Sequence, residues 1–282
     1  MGIKSILVKI SELKKFLKDG GVTYLNVSYV NPNQRFKDKK VLVTGGSSGL
    51  GLEMAKQYLA EGAEVLITGR KESALQEIVK SINNSKLHYI VWDLSDVINL
   101  KQKFNEALNM LGEVDIFVNN AGVGIKYTGW RTYTPEVFDY VHEINERGVF
   151  FMSQIEATYL LDHKISGSIL NISSMASLVP LMDPYAISKW GINCITKGLA
   201  KELAGSDITV NAIAPGTVMT NIEEWYKGRT MEDNAFYSGQ PSNRFTAKEE
   251  IAQLALFLTS GSDRCITGQI VAADCGRYLF QK

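Results

Sequence analysis

Residues 39–62 read KKVLVTGGSSGLGLEMAKQYLAEG. Val41, Leu42 and Val43 form an apolar run that goes straight into glycines at 45, 49 and 51, and LGLEMAKQYLAEG continues with the spacing of a helix. This is a strand–loop–helix unit. Its loop needs residues tolerant of unusual backbone angles, and a pyrophosphate needs close approach to backbone N–H groups. The helix start adds partial positive charge. The context of strand before and helix after lifts the glycine pattern above an ordinary turn and predicts nucleotide binding.

The alternation continues outward from that unit. EVLITG (64–69) reads as a strand, ESALQEIVKSI (72–82) as a helix, LHYIVWDL (87–94) as a strand and VINLKQKFNEALNMLG (97–112) as a helix. VDIFVNNAG (114–122) is a strand, and a long helical stretch runs from Pro135 to Leu161. Then come the strand GSILNISS (167–174), the helix from Tyr185, the strand ITVNAIAPG (208–216), the helix KEEIAQLALFLTS (248–260) and a last strand, GQIVAAD (268–274). Near-continuous apolar strands alternating with helices predict an α/β fold: a doubly wound parallel sheet of six or seven strands, covered on both faces. With no linker or repeat, residues 38–282 form a single Rossmann domain. Residues 1–37 form an N-terminal extension: a basic amphipathic helix (Ile3 to Leu17) and a strand (Val22 to Val30), read as packed on the domain or a neighbouring subunit rather than on a membrane.

The bulk properties exclude several classes. The chain has 282 residues, 45% hydrophobic, with Lys+Arg and Asp+Glu balanced at 30 each, so nothing points to nucleic acid or a membrane surface. No apolar run approaches the roughly 18 residues of a membrane span, and no secretory signal is evident. Three cysteines (Cys194, Cys265, Cys275), without CxxC pairing, fit free thiols in a reducing cytoplasm. His88, His142 and His163 lack metal-ligand spacing, so no metal is expected.

The loop spacing is TGxxxGxG. NNAG follows at 119–122, NISS at 171–174 and YAISK at 185–189. In these motifs the chain resembles the short-chain dehydrogenase/reductase family over about residues 38–276. The resemblance implies a nicotinamide dinucleotide held at Gly45, Ser47, Ser48, Gly49, Leu50 and Gly51. It also implies that Asp93 accepts from the adenine amino group, with Leu94 alongside, although an Asp after a strand equally fits a helix N-cap. Asn120, Ala121 and Gly122 line the cofactor side of the cleft. Pro215, Gly216, Val218 and Thr220 meet the nicotinamide carboxamide.

The end of the second strand addresses the choice of cofactor. A carboxylate there would bond the ribose hydroxyls and repel a 2′-phosphate. The chain has Gly69-Arg70 instead, and a guanidinium fork suits phosphate. NADP is therefore expected, with NAD as second choice; Ser48 stands where relatives that prefer NADP often carry a basic residue.

Tyr185 and Lys189 share a helix face at the carboxyl edge of the sheet. A phenol titrates near pH 10 and is a poor base at neutral pH, but an ammonium one turn away stabilises phenolate and tunes it toward proton transfer. The family's YxxxK motif implies that Lys189 also holds the nicotinamide ribose, that Ser174 orients the substrate oxygen, and that Asn145 kinks its helix and holds a relay water. Ser174 and Tyr185 stand eleven residues apart, two fewer than is common in the family. Residues 221–245, with Trp225, Tyr226, Phe236 and Tyr237, stand where the family places a lid, while Trp130, Arg131 and Tyr133 are further candidates for the substrate pocket. The expected function is hydride transfer between NADP(H) and a carbonyl or secondary alcohol, in a homotetramer or homodimer. The alternative is a non-catalytic nucleotide-binding sensor or scaffold of the same fold.

Overall fold

The computed structural model describes residues 34–220, 236–261 and 264–280, together with Ile10, Ser11, Leu13, Lys14 and Leu17, which are helical. The expected strand at 22–30, the remainder of the helix at 3–17, and lid residues 221–235, including Trp225 and Tyr226, lie outside the described residues.

Among the described residues seven strands form one parallel sheet. They are β1 (Lys40–Val43), β2 (Glu64–Gly69), β3 (Leu87–Val91), β4 (Ile116–Asn119), β5 (Ser168–Ile172), β6 (Thr209–Pro215) and β7 (Ile270–Ala273). The helices are α1 (Gly49–Ala60), α2 (Glu72–Ile82), α3 (Leu100–Leu111), α4 (Pro135–His142), α5 (Val149–Asp162), α6 (Pro184–Glu202) and α7 (Lys248–Thr259). The strand order is β3-β2-β1-β4-β5-β6-β7, with Val41 opposite both Val65 of β2 and Ile116 of β4. The order reverses between β1 and β4, and the crevice at their carboxyl ends is where an open α/β sheet binds ligands.

Side chains alternate across the sheet and build two cores. Val41, Val43, Val65 and Ile67 face Met54 and Tyr58 of α1 and Ile251 and Leu256 of α7. Leu42, Leu66 and Phe117 face Phe104 of α3, Met152 and Leu160 of α5, and Ile192 of α6. Packing begins ahead of residue 38. Phe36 is buried edge-on against Tyr58, with ring centres 5.0 Å apart, and Arg35 pairs with Glu61 at 2.6 Å.

The long helix expected from Pro135 to Leu161 is present with one interruption. Between α4 and α5 the residues Glu143–Gly148 form a π-turn, an i→i+5 insertion that often marks functional sites. Asn145 lies within it and is fully buried.

Candidate active site

The loop after β1 is organised around one hydroxyl. Thr44 Oγ1 accepts the backbone N–H groups of Asn120 and Ala121, both at 3.0 Å. The Asn120 side chain returns the bond, donating to the carbonyls of Thr44 (2.9 Å) and Gly45 (3.1 Å). The ends of β1 and β4 are thereby locked together. Gly45 has φ +66°, and a Cβ there would lie 2.9 Å from the Ala121 backbone; a Cβ at Gly51 would lie 2.5 Å from the Gly45 carbonyl oxygen. Glycine is required at both positions by the approach of the two loops.

The loop's geometry fits a dinucleotide. Ser48 is the exposed N-cap of α1, and its side chain takes up no bond to the helix, leaving it open to a ligand. Ser47 packs by Gly69, where a Cβ would come 3.2 Å from its Oγ. Leu50 is packed on the core, and Thr220 closes over Gly49, with a contact distance of 3.6 Å from a Cβ placed there. Arg70 and its neighbour Lys71 are exposed at the end of β2. Asp93 Oδ1 accepts from the backbone N–H of Ser95 (3.0 Å) and from its hydroxyl (2.7 Å). It closes a local turn, and the N-cap position of α3 is Asn99. Leu94 is buried against the π-turn, where a Cβ on Gly148 would strike its carbonyl.

Lys189, Tyr185, Gly122 and Asn145 lie together at the ends of β4 and α6, and Ser174 follows the end of β5. Lys189 is buried and donates from Nζ to the carbonyl of Ile172 at 2.8 Å, and its ammonium lies 5.8 Å from the centre of the Tyr185 ring. Burial pushes the Lys189 ammonium down to a pKa of about 8. A Cβ on Gly122 would lie 3.6 Å from Lys189 Nζ and 3.1 Å from Asn145 Oδ1. The Asn145 side chain is fully engaged. It accepts from Val123 N–H (2.8 Å) and donates to the Val123 carbonyl (2.9 Å) and Ser188 Oγ (3.2 Å). Ser174 is half-buried and accepts the Ala176 N–H at 3.2 Å. Ser173 points the other way, into α6, and bonds Asn193 Oδ1 at 2.7 Å.

Beyond β6, Pro215 pairs with Ala273 and Gly216 is crowded by Gln240 and the Asp274 backbone. Gln240 accepts the Thr217 N–H at 2.8 Å, Val218 bridges Thr246, and Arg277 bonds Thr217. Of the remaining lid aromatics, Tyr237 stacks on Phe245 with ring centres 4.6 Å apart.

Comparison with known proteins agrees with this geometry. Residues 45–277 match the family model described as enoyl-(acyl carrier protein) reductase. The 3-oxoacyl-(acyl-carrier-protein) reductase of Thermotoga maritima is 34% identical over 87% of this chain and 100% of its own length. A short-chain type dehydrogenase/reductase from Mycobacterium marinum superposes with a TM-score of 0.78 at 28% identity, over 86% of this chain and 96% of that one. The chain belongs to the short-chain dehydrogenase/reductase family. It is an oxidoreductase that uses a nicotinamide dinucleotide. Another member of this family, the 3-ketoacyl-(acyl-carrier-protein) reductase of Brucella melitensis, was crystallised with NADH; it matches at 29% identity and a TM-score of 0.77, over 86% and 99% of the two chains.

Sequence reasoning missed three features of this short-chain dehydrogenase/reductase. The first is Thr44, whose hydroxyl joins the two loops although the TGxxxGxG spacing gives a role only to its glycines. Asn119 and Glu156 form a buried network: Asn119 Nδ2 donates to Glu156 Oε2 (2.9 Å) and Asn171 Oδ1 (3.0 Å), and Asn171 donates to Thr196 (2.9 Å). Burial pushes the Glu156 carboxyl up to about 8, against the lowering effect of the Asn119 bond. The signal was a lone charge one turn after Met152 on the apolar face of α5. The third feature is the bond from the Tyr133 hydroxyl to Asp183, in a residue expected only as a candidate for the substrate pocket. Among the described residues no acid, cysteine and histidine cluster could hold a metal, and no helix is long and apolar enough to cross a membrane.

Proposed function

We propose that this enzyme transfers a hydride between NADP(H) and a carbonyl or secondary-alcohol carbon, with carbonyl reduction as its main direction. The observation that carries the reading is the buried Lys189 ammonium beside the Tyr185 ring, held at the end of β5 next to Gly122 and Asn145. The bound nicotinamide supplies or takes the hydride. The chain supplies position and a proton. Ser174, whose oxygen accepts from Ala176, keeps its own O–H to donate to the substrate oxygen. Tyr185 gives its phenolic proton to that oxygen during reduction, and Lys189 stabilises the phenolate left behind. Lys189 spends one donor on Ile172 and retains others for a ribose hydroxyl. The Asn145 amide is spent on Val123 and Ser188, so a relay water would meet its main-chain carbonyl.

Arg70 and Lys71, two exposed cations directly after β2, with glycine rather than a carboxylate as its last residue, support a 2′-phosphate and hence NADP over NAD. The glycine loop (Gly45, Ser47, Ser48, Gly49, Leu50, Gly51), Asp93, Leu94, Asn120, Ala121, Gly122, Pro215, Gly216, Val218 and Thr220 are the proposed cofactor contacts. Exposed Phe150 and Phe151 on α5 and Ile187 and Trp190 on α6 support a homodimer or homotetramer. Free thiols at Cys194, Cys265 and Cys275 support a cytoplasmic setting. The catalytic unit spans 38–282, and residues 1–37 are an extension whose Arg35 and Phe36 dock on it.

The test is titration of the protein with NADPH and with NADH, followed by nicotinamide fluorescence. NADPH is expected to bind tighter, and Arg70→Ala to erase about tenfold or more of that preference, as loss of a charged hydrogen bond implies. Equal or tighter NADH binding by the wild type overturns the NADP assignment.

A further inference from the structure

Asp183 is the N-cap of α6, two residues before Tyr185. Its Oδ1 accepts the N–H of Ala186 at 3.1 Å, fixing the first turn of the helix around Tyr185. Its Oδ2 accepts the Tyr133 hydroxyl at 2.6 Å, a short charge-assisted bond between residues fifty apart in the chain. Asp183 is buried and Tyr133 half-buried, so water competes weakly for either. Tyr133 in turn precedes Thr134, the N-cap of α4, whose hydroxyl oxygen accepts the Val137 N–H. One carboxylate therefore joins the starts of two helices: α6, which carries Tyr185 and Lys189, and α4, which leads into the π-turn that carries Asn145.

We infer that Tyr133 and Asp183 are positioning residues that set Tyr185 for proton transfer by fastening the loop after β4 to the first turn of α6. The need for such a fastening is visible in the chain. Only ten residues separate Ser174 from Tyr185, and after the short 3-10 turn Met175–Ser177 the rest of that segment carries no regular structure before the helix. The cap takes its rigidity from outside the segment. Tyr133 is thereby committed to the helix cap. Burial first, and the Asp183 carboxylate second, push its phenol up to about 12, so it stays a hydrogen-bond donor across the working pH range.

This inference rests on Tyr185 being the acid–base residue, and the experiment separates the two. Full-length wild type and the variants Tyr133→Phe, Asp183→Asn and Asp183→Ala are compared by three readouts. These are turnover of a probe β-keto ester (ethyl acetoacetate) with NADPH, the NADPH dissociation constant, and hydrogen exchange of the peptide spanning 175–190. Tyr133→Phe and Asp183→Ala are expected to lower kcat about ten- to a hundredfold, as small misplacements of a catalytic group do. NADPH affinity is expected to stay within about twofold, and exchange at 185–187 to quicken. Asp183→Asn is expected to restore most of kcat, because an amide caps the helix and bonds a phenol without the charge. A merely structural role would move NADPH affinity together with kcat, and that outcome overturns the inference. Unchanged exchange at 185–187 in Tyr133→Phe overturns it too, whether or not the ester is a substrate. If Tyr185→Phe keeps the wild-type rate on the ester, the acid–base reading itself falls; if Tyr185→Phe is inactive while Tyr133→Phe is unimpaired, only the positioning role falls.

Discussion

Lys189 holds its ammonium 5.8 Å from the centre of the Tyr185 ring while its hydrogen bond goes to the Ile172 carbonyl, 2.8 Å away. The charge is thus fixed by the sheet, and in the proposed mechanism it acts on the phenol through space. A buried ammonium costs stability. With a folded pKa near 8 against an ordinary value of 10.5, the full cost applies below pH 8, and it is relieved as pH rises from about 8 toward 10.5. Lys189→Met should therefore be inactive yet melt a few degrees higher than wild type at pH 7, with the gain shrinking above pH 8. Calorimetry at pH 7 and pH 10 checks both the size and the direction.

Tyr185→Phe removes the proposed proton donor and leaves the helix cap at Asp183 in place. Turnover should fall about a thousandfold, in the range of general acid–base contributions, with NADPH affinity within twofold of wild type. Rate and affinity measured on one preparation decide this, and near-normal turnover would remove Tyr185 from the mechanism.

Glu156 lies inside the sheet–helix layer beside Asn119, and its Oε1 and the Asn119 Oδ1 have no hydrogen-bond partner among the described residues. Its folded pKa of about 8 exceeds the ordinary 4.5, so the folded state binds more protons than the unfolded between those values. Stability from this group falls as pH rises from about 4.5 to 8. Glu156→Gln should be more stable than wild type at pH 8, by an amount on the order of a few kcal/mol, and the difference should vanish near pH 4.5. Urea unfolding at several pH values tests it. A flat difference across that range would show that Glu156 does not titrate as stated.

Gly51→Ala would push a methyl to within 2.5 Å of the Gly45 carbonyl oxygen and 2.4 Å of the Asn120 amide nitrogen. Backbone must move, and overpacking of this kind costs about 1–3 kcal/mol. Because the displaced atoms form the proposed phosphate loop, NADPH affinity should drop at least tenfold while far-UV circular dichroism stays native. Unchanged affinity would mean that this loop does not hold the cofactor.

The fold was legible because a parallel sheet buried on both faces writes each strand as an apolar run, with a helix-period segment between consecutive runs. The seventh strand, Ile270–Ala273, was as readable as the first. The site's backbone was legible too, since glycines and the YAISK pair act through local spacing. What the sequence hid are bonds between distant residues. Tyr133 and Asp183 stand fifty apart and obey no period, and Thr44 looks like any strand-end hydroxyl until Asn120 and Ala121 are brought to it. Asp93 left two readings open, and the structure uses its Oδ1 for a third purpose, the turn at Ser95. The family resemblance pointed to a kink at Asn145, but no period in residues 143–148 says that the kink takes the form of a π-turn.

That π-turn makes the helical rod sensitive to counting. A π-turn accommodates one residue more than an α-helical turn, so deleting a single residue between Glu143 and Gly148 would heal the helix into regular form. The widened turn absorbs the extra residue, so α4 and α5 would keep the faces they present and the deletion would remove the turn itself. Met152 and Leu160 would stay in the core, while Asn145 would lose the place from which it reaches Val123. This stretch is therefore held by its length as well as by two of its residues, Asn145 and Gly148, where a Cβ would meet the Leu94 carbonyl. Losing one residue here would take Asn145 out of the site even where the other motifs are kept.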